Sequence, residues 1–368
     1  LVWGGEPVST TLMQAPLFPG FISIVYRLSG PSLLAVRAAH ALMGTMTCAF
    51  TVVVTRRLFR SSTAGIIAGL MMALYLPAIF YEGVLVPATL ILFLDSLFVF
   101  LMVPEKGPPQ GVRLVLSGFV LGLSVIAKPV AVLLVPFALL FILRGAPGRA
   151  FARNAAVFIV GLLVAMTPLT IRNAKVTGEF IPLTTGGGIN FYIGNNPKAN
   201  GFYSVPFYEG SPIGGTPEVQ QRRMTDIAEK ESGRPLSGRE VSSFWTRKGL
   251  DHIRRFPRRS ASLLWQKTLF FWNSYERSNV ESLAFHRRFG GILPLRLPGF
   301  GFVAPLGLLG IFMTWKDRRR LHLIYGGIIT YFTAGLVFYV LARYRLPVIV
   351  FLIPMAGAAV ASMLKLFR

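Results

Sequence analysis

Four cations stand where apolar runs of this chain end or turn: Lys128 in IAKPV, Arg172 in TIRNA, and Arg343 and Arg345 in LARYRLPV. Cations gathered at such places can hold an anion, for example a lipid phosphate, and the planar fork of arginine pairs two phosphate oxygens at once. Pro129 and Pro347 fix the turns beside Lys128 and Arg345. The alternative is that each cation only reaches along its stem to the headgroups. Glu82, in the expected loop YEGVLVP, is the acid that could act beside them. A carboxylate there could take a proton from a hydroxyl, or bind a metal or a cationic group. Its other reading is a solvated acid paired with an arginine. Asp95, in LFLDSLF, lies within an apolar run. Such an acid is a functional candidate by default, but a structural bond to Arg37, His40 or a serine is the expectation here.

A second group follows Thr185-Gly186-Gly187-Gly188. The run resembles phosphate-cradling loops but lacks their GK[ST] ending, which argues against a nucleotide site. Glycines leave the backbone free to approach a ligand closely. Asn190, Tyr192, Asn195 and Asn196 come next, amides and a phenol suited to a hydroxyl-rich ligand such as a sugar. The alternative is a loop that uses Gly and Asn for its turns.

The elements that must position these residues are membrane helices. Of 368 residues, 53% are hydrophobic and only 14% charged, against about 25% charged in soluble chains. The mean hydropathy is +0.58. The fold class expected is an all-α polytopic membrane protein of about nine spans, at about 20 apolar residues per span. They run over 33–55, 63–80, 84–103, 112–127, 129–143, 155–171, 299–315, 321–342 and 346–364. The 15–28 and 260–272 stretches read as helices lying at the membrane interface. The net charge of +23 then reflects cations flanking spans, and nucleic acid is not an expected partner because no soluble basic domain is present. Arg56, Arg57, Arg60, Lys106, Arg113, Arg144, Arg149, Arg153, Lys316 and Arg318–Arg320 all fall on one side, expected to be cytoplasmic. The four cations above break that rule, since they fall on the outer side.

Three regions are expected: a membrane module over 1–171, an external region over 172–298 and C-terminal membrane helices over 299–368. Within the external region, Thr216-Pro217-Glu218 and the S-x-x-E box Ser237–Glu240 predict helices at about 217–231 and 238–256. Cys48 is the single cysteine, so no intramolecular disulfide can form, and the four histidines show no metal-ligand spacing. The opening residues are expected outside the membrane. That predicts a further span upstream of Leu1, a cleaved signal peptide being the alternative.

PLTIRNAKVTGEFIPLTTGGGINFYIGNNPKANGFYSVP resembles the signature of bacterial multi-spanning glycosyltransferases. These are similar to protein O-mannosyltransferases and to the aminoarabinose transferase of lipid A, within the GT-C superfamily. APLFPGFISIVY, GPSLLAVRAAHALMG, FYEGVLVPATL, LSGREVSSFW, KTLFFWNSYE and RYRLPVIVFLIP agree, in order, along most of the chain. The resemblance implies a polyprenyl-phosphate sugar donor and transfer to an acceptor at the outer face of a bacterial inner membrane. It also implies a lipid phosphate as leaving group, stabilised by outer-face cations. A first-loop aspartate as general base is expected upstream of Leu1, with Glu6 a poor substitute and Glu82 the remaining candidate. Met13 and Gln14 stand where aminoarabinose transferases carry an acid, which argues against a metal site of that kind; no cofactor is firmly expected, and a divalent metal is left open. Ala88 stands where many relatives have glutamate. A flippase of lipid-linked sugars would share the phosphate site, but such transporters show repeated halves and a mid-membrane site, and no repeat is evident here. A non-catalytic glycolipid-binding member of the fold is the third reading.

Overall fold

The computed structural model describes residues 15–205, 207–208, 211–213, 215–277, 281–289 and 297–366. Glu6, Met13 and Gln14 lie outside the described residues. Among the described residues the fold is helical apart from one hairpin of two-residue strands, β1 (Phe207–Tyr208) and β2 (Ser211–Pro212). The helices, in chain order, are α1 (Leu17–Ser29), α2 (Leu33–Phe59), α3 (Ser62–Ala73), α4 (Leu76–Gly83), α5 (Ala88–Met102), α6 (Val112–Ala127), α7 (Val135–Gly145) and α8 (Arg149–Thr177). Then come α9 (Gly187–Gly194), α10 (Pro217–Ser232), α11 (Gly238–Arg255), α12 (Pro257–Trp272), α13 (Leu283–Phe289), α14 (Phe300–Met313), α15 (Arg318–Val337), α16 (Ala342–Arg345) and α17 (Ile349–Leu366).

Each expected span has a helix beneath it, but not all are long. Leu33–Phe59, Arg149–Thr177 and Ala342–Leu366 are long and apolar enough to cross a membrane. The 63–80 span is instead a bent pair, α3 and α4, meeting at 46°, and counting the pair gives a fourth. Leu74 and Tyr75 make the break: Tyr75 is extended and Pro77 opens α4, where its missing N–H is harmless. Leu17–Ser29, Ala88–Met102, Val112–Ala127, Pro129–Gly145 and Phe300–Met313 are shorter apolar helices. In α15 the leading arginines, glycines and tyrosines dilute the apolar run.

The chain divides into two compact units. One comprises 16–165, 272–333 and 341–366 of the described residues. Its centre is α17, buried continuously from Ile349 to Ala359 and packed on α2, α3 and α14. At one end of this unit the cations expected on the cytoplasmic side interlock. Arg57 donates to Val103 O at 2.9 Å, and Arg113 to Phe100 O at 2.6 Å and Leu101 O at 2.5 Å. They thereby satisfy the carbonyls that α5 leaves open at its C-terminus. Arg320 donates to Arg57 O and Arg144 to Arg319 O.

Of the described residues, the other unit comprises Ala15 and those within Met166–Phe271 and Ala334–Val340. The predicted helices are found as α10 and α11, and Ser237 and Glu240 form both halves of the capping box. Here α9, which the glycine-rich sequence does not announce, packs on α11. A Cβ at Gly188 would overlap Ser242 O, so the run of glycines serves close helix approach. Gly188 N donates to Ser242 Oγ at 3.0 Å.

Candidate functional site

The sequence candidates fall into both units. Lys128, Arg343, Arg345 and Glu82 belong to the unit built on α17; Arg172, Asn190, Tyr192, Asn195 and Asn196 belong to the other.

Lys128 ends α6 in an extended conformation, with Pro129 starting a short 3-10 helix behind it. This turn aims its ammonium at Tyr344: Nζ donates to Tyr344 O at 3.0 Å and lies 4.6 Å from the Tyr344 ring and 5.5 Å from that of Tyr331. Arg343 approaches the same tyrosine, donating to its hydroxyl at 3.3 Å with its guanidinium 4.9 Å from the ring. Arg343 Nε is buried and has no hydrogen-bond partner among the described residues. The acid of this cluster is Asp95. As expected it takes a serine, Ser124, which donates at 2.6 Å, and Tyr331 donates to its other oxygen. Arg37 and His40 do not reach it; they bond Gly83 O and Glu82 O. Asp95 therefore makes no ion pair with Lys128 or Arg343 among the described residues, and both cations keep donors free for an anion.

Arg345 is placed differently. Its side chain is 2% exposed and pairs with Glu276 at 2.9 Å. It also donates to Asn273 O at 2.7 Å and Tyr275 O at 3.2 Å, and lies 3.9 Å from the Phe300 ring. Burial pushes the Glu276 carboxyl up, opposed by Arg345 and by the Phe300 N–H. The guanidinium is thus tied into protein contacts, and Glu276, which sequence reasoning missed, is its counter-charge. The signal was present in KTLFFWNSYE, an acid directly behind an aromatic helix.

Glu82 lies not in a loop but in the last turn of α4. Its side chain lines a small cavity with Gly44, Thr47, Cys48 and Thr89, and its carboxylate has no hydrogen-bond partner among the described residues. A Cβ at Gly44 would overlap Glu82 Oε1. Gly44→Ala is therefore expected to swing the carboxylate out of its present position, while thermal unfolding in detergent stays close to that of the wild type.

In the other unit, Arg172 is exposed on α8 and donates to Asn173 Oδ1 at 3.3 Å. Asn190 donates to Gly186 O and accepts from Tyr339 at 2.7 Å. Tyr192 packs against Trp245, with centroids 4.7 Å apart. Asn196 is buried, bonding Tyr192 O, Ile193 O and Lys198 N. Asn195 joins Lys267. The amide donates to Val337 O at 2.8 Å and accepts from Lys267 Nζ, which donates to Leu336 O at 2.9 Å. Together they close the last carbonyls of α15, a place that favours a cation. The amides thus serve the backbone of their own unit. Among the described residues, no three of His, Cys, Asp and Glu gather as metal ligands.

The helices around Glu82 and Lys128 are those of a multi-spanning membrane protein. Residues 13–171, which carry both side chains, match the sequence model of the family described as dolichyl-phosphate-mannose-protein mannosyltransferase, and over this stretch the resemblance read from the sequence is shown. The match ends before Arg172, the glycine-rich segment and Arg343. Among solved structures the chain is similar to ArnT from Cupriavidus metallidurans. In the apo state the identity is 15% and the TM-score 0.41, over 95% of this chain and 66% of that one. In the state bound to undecaprenyl phosphate the figures are 14% and 0.42, over 96% and 68%. The chain spans about two thirds of the length of that protein. No curated protein sequence matches it.

Proposed function

We infer that this chain, with its nine expected spans, acts as a membrane glycosyltransferase that takes a sugar from a polyprenyl-phosphate donor at the outer face of the cytoplasmic membrane. The observation that carries this reading is the pair Lys128 and Arg343. Two cations converge on Tyr344 with donors to spare, and no acid pairs with either among the described residues. The family match over 13–171 supplies the reaction class.

The reaction follows from charge. An acceptor hydroxyl oxygen attacks the anomeric carbon, the bond from that carbon to the phosphate oxygen breaks, and the lipid phosphate leaves with the electron pair. A base takes the hydroxyl proton, and Glu82, whose carboxylate makes no hydrogen bond among the described residues, is the acid assigned to it. Negative charge grows on the phosphate as the bond breaks, so cations fixed beside it stabilise the transition state more than the ground state. Arg345 supports the turn that carries Arg343 rather than meeting the phosphate itself. Arg172 and the four residues around α9 are not assigned to substrate in this reading.

The test is release of polyprenyl phosphate from labelled polyprenyl-phosphate sugars in membranes carrying the full-length protein. Release by the wild type is expected to fall about 100- to 1000-fold in Arg343→Ala, with unchanged protein level. No release from any such donor would overturn the reading.

A further inference from the structure

A groove of about 720 Å³ lies within the unit that contains α9 to α12. One wall is the segment after α8: Phe180, Ile181, Pro182, Thr184 and Thr185. The other is one face of α11. Arg239, Ser242, Ser243, Thr246 and Arg247 recur there at the three- and four-residue spacing of a helical stripe. The opposite stripe, Val241, Trp245, Gly249 and His252, is buried and fixes the orientation of the helix.

The lining has a definite chemistry. It contains two arginines and five hydroxyl residues but no carboxylate. Neither arginine has a partner among the described residues. The nearby acid Glu240 cannot neutralise them, because its oxygens are engaged by Arg234 and by Ser237 N in the capping box. Thr246 donates to Ser242 O, and Ser242 Oγ accepts from Gly188 N. The hydroxyls of Thr184, Thr185 and Ser243 remain open, among the described residues. Phe180 is 68% exposed, an aromatic ring free at the rim. Two turns of helix separate Arg239 from Arg247, about 12 Å, and the hydroxyl residues between them leave room for a ligand that carries hydroxyls as well as a charge.

We propose that this groove binds a phosphorylated saccharide, with Arg239 and Arg247 holding the phosphate, the threonine and serine hydroxyls meeting the sugar hydroxyls, and Phe180 covering a sugar face. It shares no residue with the Lys128 and Arg343 cluster and does not rest on the transferase reading.

The test is ligand-detected NMR on the full-length protein in nanodiscs. The probes are glucose 6-phosphate, glucose, inorganic phosphate, and octyl glucoside 6-phosphate as the lipid-borne form. Glucose 6-phosphate is expected to bind at least about 10-fold more tightly than glucose or phosphate alone, and to lose about 10-fold or more in Arg239→Ala/Arg247→Ala. Arg343→Ala is expected to leave this binding unchanged. Both groove arginines are exposed and make no ion pair among the described residues, so the double variant is expected to keep the wild-type unfolding temperature; Arg239→Lys/Arg247→Lys should retain part of the affinity through its charge. Tighter binding of the octyl form would identify a lipid headgroup as the source; equal binding would identify a soluble or chain-borne saccharide. Absence of binding by both phosphosugars, binding that survives the double alanine variant, or inorganic phosphate binding as tightly as glucose 6-phosphate would each overturn the proposal.

Discussion

Arg345→Ala is expected to destabilise the folded protein steeply, and to do so whether or not a lipid substrate is present. The reason lies in what remains behind. Glu276 is only 13% exposed and loses its counter-charge, while Asn273 O and Tyr275 O lose their donor. Breaking one side of a buried pair costs about 3–5 kcal/mol, a large share of what usually holds a domain together. The expected measurement is a collapse of the unfolding temperature in detergent, with no rescue by added polyprenyl phosphate. Removing both charges in Arg345→Met/Glu276→Gln should be milder, since no charge is left unpaired. The pH dependence has a fixed sign. Burial already pushes the Glu276 carboxyl up, and losing Arg345 pushes it further. Protons then bind the folded state more readily than the unfolded one, so Arg345→Ala should be more stable at pH 5 than at pH 8. A variant that folds normally and loses only donor affinity would show that Arg345 meets the phosphate directly.

Lys267→Met is expected to have the second largest effect. It keeps the volume of the stem but leaves Leu336 O and Asn195 Oδ1 without their donor, at about 1–3 kcal/mol for each orphaned group. Lys267 also sets a pH dependence of its own. Burial lowers its ammonium to about 8, below the usual value of about 10.4. Between those values the unfolded chain binds more protons, so stability should rise as pH climbs from 8 towards 10. Thermal unfolding followed through the buried Trp245 should show that rise in the wild type and lose it in Lys267→Met. An equal rise in both proteins would mean that Lys267 does not titrate in this range.

Much of the helix pattern was legible because apolar length and cation placement are local signals. Arg57 and Arg113 mark the C-terminal end of α5 in the sequence, and in the structure they bond its last carbonyls. Ser237 and Glu240 announce α11 for the same reason, since a capping box is complete within four residues. The break between α3 and α4 was less legible, because both halves are apolar and Pro77 alone hints at it. Helix α9 was not legible. Its glycines suggest a loop, and only packing against Ser242 gives them a helical use. The site candidates divide along the same line. A cation at a turn singled out Lys128 and Arg343, which the structure brings to the same tyrosine, Tyr344. For Arg345 it could not show the carboxylate 69 positions away, nor for Asn195 that its partners would be Lys267 and the end of α15. Charges and amides look alike in sequence whether they bind a ligand or close a backbone.

The burial of α17 bears on how the protein is made. The helices that pack most closely against it, α2, α3 and α14, precede it in the chain. Those helices enter the bilayer with their inner faces turned to lipid or to one another, and they can settle only when α17 arrives between them. Assembly of this unit is therefore a late, long-range event. A ribosome stall or a nonsense codon just before Ile349 would release a chain in which α2, α3 and α14 lack their common partner, a product suited to membrane quality-control proteases.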